Sequence, residues 1–232
     1  GDRYPFADKN FYSRNQTNSG ETYELFAFQS LIKLGHSLLG EVIREDISTL
    51  NLLSTLKNID KNKVGCIGHS FGGIRCMYLS AMDERIKVVV LANSVADLRP
   101  NYKSGILQTW LALLPGIARY TETDGILALI TPRPLLIFYS ENDPIYPMDE
   151  AKKQIESVKD LYGRLNKTGK FESVLIPNEA HSFPKKYHEQ AYDFFDKVGV
   201  DYTPKILSAH RTTDSMIEEA KNLLTKLDEL MK

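Results

Sequence analysis

The 232 residues carry 29 lysines and arginines against 30 aspartates and glutamates, a formal net charge of −1, so no long-range field draws the chain to nucleic acid or to an anionic membrane surface. With 42% hydrophobic and 25% charged residues, it has the make-up of a globular chain with one sizeable core, and no apolar run is long enough to span a bilayer. The two cysteines, Cys66 and Cys76, have no metal-ligand company and read as buried and free, which fits a reducing compartment and favours the cytoplasm.

In chain order, residues 1–20 are polar and irregular and do not resemble a signal peptide. Residues 22–34 have helical apolar spacing, and a second amphipathic helix over 37–57 runs through Leu38, Val42, Ile47, Leu50, Leu53 and Leu56. No convincing strand precedes Val64. The apolar run Val64-Gly65-Cys66-Ile67 then enters Gly68-His69-Ser70-Phe71-Gly72-Gly73, which fits a strand, a sharp turn and a helix start. On such a turn the neighbours two residues before and after the serine are pressed together, so Gly68 and Gly72 are expected to leave room that side chains would fill. The turn lifts Ser70 clear of the sheet. It also puts the Phe71 N–H at a helix start, where an open donor and the positive end of the helix dipole can meet a developing oxyanion. A plain glycine-rich turn that happens to contain a serine is the competing reading of these six residues.

Beyond the turn, residues 72–81 read as a helix and 87–91 as a strand that ends in the polar turn Asp97-Leu98-Arg99-Pro100. Residues 104–130 are apolar, with Trp110, Leu111, Leu113 and Leu114 close together, and are predicted helical. As 101–130 lies after a strand exit, it is placed either to cap a site as a lid or to pack on the sheet. Residues 134–139 form a strand that exits into Ser140-Glu141-Asn142-Asp143-Pro144, and 148–165 form an amphipathic helix. The last apolar run, Val174-Leu175-Ile176, breaks at Pro177 and leads through Asn178-Glu179-Ala180 to His181. Strands that alternate with helices predict a mostly parallel sheet flanked by helices.

A serine hydroxyl needs an imidazole base, itself oriented by a carboxylate. The order Ser70, Asp143, His181, each at a strand exit, supplies all three. Asp143 precedes a proline and could be a turn residue; Glu141 and Asp149 lie nearby, and Asp97 is the main rival as orienter. Of the other histidines, His36 falls in a helical pattern, His69 is tied to the turn, His188 sits in a helix and His210 lies in the C-terminal tail.

The run Gly68–Gly73, together with TPRPLLIFYSENDPIYP over 131–147 and PNEAHSFPKKYHEQAYDFFDKV over 177–198, resembles the α/β-hydrolase superfamily, most nearly its dienelactone-hydrolase and acetyl-xylan-esterase-like branch. The resemblance spans about residues 34–198. It implies catalytic roles for Ser70, Asp143 and His181, a backbone oxyanion donor at Phe71, and an elbow formed with Gly68, His69, Gly72 and Gly73; no metal or cofactor is implied. Serine stands where dienelactone hydrolases of this type have cysteine, which favours ester hydrolysis. Such enzymes have strands before the elbow strand and a second oxyanion N–H on one of their loops, so the 1–198 domain is expected to be incomplete at its N-terminus. That leaves secretion open, and it leaves a sheet edge for a protein partner or a second copy. After 198, a strand and helix extension over 199–232 contains Ser208-Ala209-His210-Arg211-Thr212, a short resemblance to the phosphoribosylaminoimidazole carboxylase/mutase family. That family's phosphate loop is missing upstream, so no ligand is assigned to His210 or Arg211. The stripe Met216, Ile217, Ala220, Leu223, Leu224, Leu227 and Leu230 packs on its own domain, dimerises or docks a partner.

The function expected is a serine esterase acting on a small-molecule ester through an acyl-enzyme. The alternative is a non-catalytic hydrolase-like module for binding or assembly.

Overall fold

In the computed structural model of the chain, residues 20–99, 105–106 and 109–198 are described. The expected extension over 199–232, with His210, Arg211 and the apolar stripe, lies outside them, as do the first residues of the chain.

Two helices come first, α1 (Gly20–Lys33) and α2 (Leu38–Leu53). His36 falls in the turn between them rather than inside a helix, beside Gly35 at φ 78°, and Ser37 caps α2 by accepting the Gly40 N–H at 3.0 Å. The second helix ends earlier than its spacing predicts. There the Ser54 and Thr55 hydroxyls donate back to the Leu50 and Leu52 carbonyls, the local competition that such side chains offer a helix.

Strand β1 (Val64–His69) leads into α3 (Phe71–Met82) and then β2 (Ile86–Ala92). A short helix α4 (Thr123–Ala128) precedes β3 (Leu135–Ser140), followed by α5 (Met148–Arg164), β4 (Phe171–Ile176) and α6 (Lys185–Lys197). The sheet is parallel throughout, in the order β1-β2-β3-β4. No strand lies beyond β1 among the described residues.

Strand alternation divides the core between two faces. Val89, Leu91, Leu135 and Ile137 pack against α3 and α5 through Met77, Ile155 and Val158. On the other face Phe138 meets Phe183 and Tyr187 of the α6 region at ring distances of 5.1 and 5.8 Å. Val88 to Ala92 of β2 are fully buried on both faces, which explains the apolar run that follows the exposed Lys87. Cys76 is buried while Cys66 is only half-buried, and both are free thiols.

The long helix expected over 104–130 does not form. Its described residues make two single 3-10 turns, Trp110–Ala112 and Ile117–Arg119, before α4. Pro115 brings no N–H and Gly116 takes φ 80°, so the chain reverses there. Trp110 and Leu111 are apolar because they pack against α1 and α2, with the Trp110 ring 5.1 Å from Phe28. No helix among the described residues is long and apolar enough to cross a membrane.

Candidate active site

Ser70 is the single residue between β1 and α3, held at φ 57° and ψ −127°. A non-glycine residue there stores roughly 1–3 kcal/mol that surrounding structure must hold in place. The Ser70 N–H donates to the Ala92 carbonyl at 2.8 Å, and its own carbonyl accepts the Gly73 and Ile74 N–H groups, closing the first turn of α3. Phe71 opens that helix, so its N–H belongs to the first turn, whose donors lack intrahelical acceptors.

The small residues that permit this turn are not the pair expected. A Cβ on Gly68 would lie 2.1 Å from the Gly72 carbonyl oxygen and 2.6 Å from the Gly73 nitrogen, so this position admits only glycine. A Cβ on Gly72, by contrast, would meet nothing within 4 Å. The second crowded glycine is Gly73, where a Cβ would approach Ser94 Oγ to 2.2 Å and the Gly68 oxygen to 3.0 Å. What Gly68 needs from position 72 is its backbone, whatever its side chain.

Asp143 lies just past β3 and His181 on the loop after β4, and the structure brings both to Ser70. His181 Nε2 is 2.7 Å from Ser70 Oγ, and its Nδ1 is 2.8 Å from Asp143 Oδ2. The Asp143 side chain is fully buried, whereas that of His181 retains 19% exposure. Oδ1 of Asp143 accepts the Ile145 and Tyr146 N–H groups at 2.8 and 2.9 Å, which leaves Oδ2 for the ring. An ionised carboxylate only accepts, so Nδ1 carries the ring proton and Nε2 is left to accept from the serine hydroxyl.

The rival carboxylates are engaged elsewhere. Asp97 accepts from Gln154 Nε2 and lies 4.0 Å from Lys153 Nζ; burial, with Glu150 beside it, pushes its carboxyl up to about 6. Glu141 accepts the N–H of Asn178, a left-handed residue at φ 57°, and Asp149 sits in the first turn of α5.

Three further residues support the site, and of these Asn93 lies outside the motifs read from the sequence. Asn93, at φ 46° just past β2, donates through Nδ2 to the Ser182 carbonyl at 2.7 Å, and its Oδ1 accepts from Ser140 Oγ at 3.1 Å. It thereby ties the ends of β2 and β3 to the loop that carries His181. A polar residue directly after five apolar ones was its only mark. Asn93→Ala removes its bonds to the half-buried Ser182 carbonyl and to Ser140 Oγ and should cost about 1–3 kcal/mol, read as a lower urea midpoint, with activity falling alongside. Tyr146 and His69 flank the imidazole at ring distances of 5.7 and 4.8 Å. Burial first, and the neighbouring His181 second, hold His69 below the usual imidazole range, and its Nε2 has no partner among the described residues.

Beside these groups lies a cavity of about 820 Å³ whose lining includes Ile74, Met77 and Tyr78 of α3, Trp110, Leu113 and Tyr146. Leu98 and Arg99, which line it, are held by Glu122, which accepts from Arg99 at 2.5 Å and from the Leu98 N–H at 2.6 Å.

A serine held at positive φ between strand and helix, on a parallel sheet covered on both faces, defines an α/β-hydrolase. Within that class the chain belongs to the prolyl oligopeptidase family, matching it over residues 33–199. The superfamily expected from the elbow is thus shown, and the family match does not single out the dienelactone-hydrolase branch. The chain is 27% identical over 172 residues to YtaP of Bacillus subtilis (strain 168), a hydrolase by its name, covering 69% of this chain and 58% of that one. Among solved structures it is similar to a glucuronoyl esterase from Solibacter usitatus, at a TM-score of 0.58 and 16% identity over 68% of this chain and 48% of that one. It is also similar to the methylesterase BT1017, at 0.55 and 24% over 70% of this chain and 36% of that one. At such identities these two likenesses show the fold. The chain spans little more than half the length of its curated relative and less than half of either solved chain.

Proposed function

We propose that the protein is a serine hydrolase that cleaves carboxylic esters through an acyl-enzyme. The observation that carries this reading is the unbroken hydrogen-bond path from Ser70 Oγ through the His181 ring to the buried Asp143 carboxylate. In the first half-reaction Ser70 Oγ attacks the ester carbonyl carbon while His181 Nε2 takes its proton. The Phe71 N–H donates to the tetrahedral oxyanion, and Asp143 stabilises the imidazolium that has formed. The intermediate then expels the alcohol, which leaves with the proton from Nε2. Water repeats these steps on the acyl-enzyme and releases the acid. The cycle as drawn calls for no metal or organic cofactor. Ester cleavage agrees with the esterase names of the two solved structures that share the fold.

Stopped-flow hydrolysis of p-nitrophenyl acetate tests the reading, because an acyl-enzyme that forms faster than it breaks down releases a burst of nitrophenol. The expected result is a burst of about one equivalent per chain followed by slower turnover, with both phases absent in Ser70→Ala. Folded wild-type protein giving neither burst nor turnover would overturn it, and would favour a non-catalytic module used for binding or assembly.

A further inference from the structure

We infer that the 820 Å³ cavity receives the acyl group of the substrate, that this group is large and apolar, and that Tyr146 is the residue through which its binding positions the base. The inference rests on the serine-hydrolase reading above and names the substrate class for that site.

Three observations support it. The cavity is lined by Ile74, Met77 and Tyr78 of the helix that begins at Phe71, the proposed oxyanion donor, and Ile74 lies one turn from Ser70, whose carbonyl accepts its N–H at 3.1 Å. An acyl carbon held at Ser70 can therefore extend along α3 into apolar surroundings. An acetyl group would leave nearly all of that space unfilled, whereas a chain of several carbons, or an aromatic ring, would bury apolar surface there.

Tyr146 is a wall common to the cavity and the base. Its ring lines the cavity and stacks on the His181 imidazole at 5.7 Å with 19° between the planes. Its backbone N–H donates to the carboxylate that orients the same imidazole. This placement also decides which half of the ester enters. The departing alcohol must take its proton from His181 Nε2, and a group inside the cavity is screened from the imidazole by the Tyr146 ring. The acyl half therefore occupies the cavity while the alcohol leaves on the open side. Filling the cavity fixes the Tyr146 ring against the imidazole, so a long acyl group should raise kcat as well as lower KM.

The test measures kcat and KM for p-nitrophenyl acetate, butyrate, hexanoate and octanoate with the wild-type protein, Tyr146→Ala and Ala112→Phe, the last placing a ring in the cavity wall. Each buried methylene is worth roughly three- to fourfold, so the wild-type kcat/KM should climb by at least about tenfold from acetate to octanoate, with part of the gain in kcat. Within Ala112→Phe the octanoate-to-acetate ratio should collapse toward one. Within Tyr146→Ala the ratio in KM should persist while the gain in kcat disappears, a split that general loss of stability does not produce. Should either variant fail to fold, the wild-type series decides alone. A wild-type kcat/KM that is flat or falls with chain length, in protein that turns over acetate, overturns the inference and leaves the serine reading standing. If no ester is turned over, the serine reading fails, and calorimetric titration of the same protein then reads the cavity by itself. Octanoate ester bound no tighter than acetate ester there overturns the cavity assignment too.

Discussion

Asp143→Asn is expected to lower kcat on a p-nitrophenyl ester by about 10⁴-fold while leaving the fold intact. The carboxylate receives hydrogen bonds at both oxygens, from the Ile145 and Tyr146 N–H groups at Oδ1 and from His181 Nδ1 at Oδ2. An asparagine keeps its carbonyl oxygen toward the two backbone donors and presents an NH₂ to the ring. Two donors then face one another unless Nδ1 gives up its proton, so the ring changes tautomer and Nε2 becomes the protonated nitrogen. That nitrogen is 2.7 Å from Ser70 Oγ and can no longer take the proton the nucleophile must lose. Because the volume and the two backbone bonds are kept, the thermal midpoint should stay within a few degrees of wild type. A variant with near-normal kcat would assign the orienting role to another group, and Asp97 is poorly placed for it because Gln154 and Lys153 already hold its carboxylate.

Gly68→Ala should have the largest effect on the fold itself. The added methyl would stand 2.1 Å from the Gly72 oxygen and 2.2 Å from its carbonyl carbon, both backbone atoms of the first turn of α3. A side chain could rotate out of the way; these atoms move only if the helix start leaves Ser70. The variant is expected either to accumulate as insoluble protein or to fold with the serine displaced, losing about 10³-fold or more in kcat, since even a 1 Å misplacement can cost about 10²-fold. Gly72→Ala is its internal control. The methyl there meets nothing within 4 Å, and replacing glycine by alanine inside a helix typically gains about 0.5–1 kcal/mol. Circular dichroism melts and ester turnover of the two variants side by side check both statements, and equal damage from both would contradict the crowding described for Gly68.

The difference between these glycines also shows what the sequence conveyed. The pattern around Ser70 located the turn because strand, glycine and helix signals coincide over a few residues, yet it did not say which glycine is crowded. That depends on how the backbone of Gly72 folds back on Gly68, and on Ser94, a residue past a neighbouring strand exit that a Cβ on Gly73 would meet. The three groups that meet at Ser70 were legible for a related reason. In a parallel sheet the strands end on one side, so residues at successive strand exits gather there whatever their separation along the chain. The buried strands β2 and β3 were visible as apolar runs for the same topological reason. The segment before α4 was not legible, because Trp110 and Leu111 pack sideways against α1 and α2, and apolar content by itself does not distinguish that from a helix face. Asn93 went unread because its importance lies in bonds to Ser140 and to the Ser182 carbonyl, more than forty residues away along the chain.

The most direct measurement of the central claim is labelling of the intact protein with a fluorophosphonate, followed by peptide mapping in a mass spectrometer. An oxygen nucleophile activated by a neighbouring imidazole attacks phosphorus and keeps it, whereas an ordinary surface serine does not react. The prediction is one phosphonyl group per chain, carried by the peptide that contains Ser70, formed rapidly in wild-type protein and lost in His181→Ala. Modification at another serine, or folded protein that stays unlabelled, would contradict it.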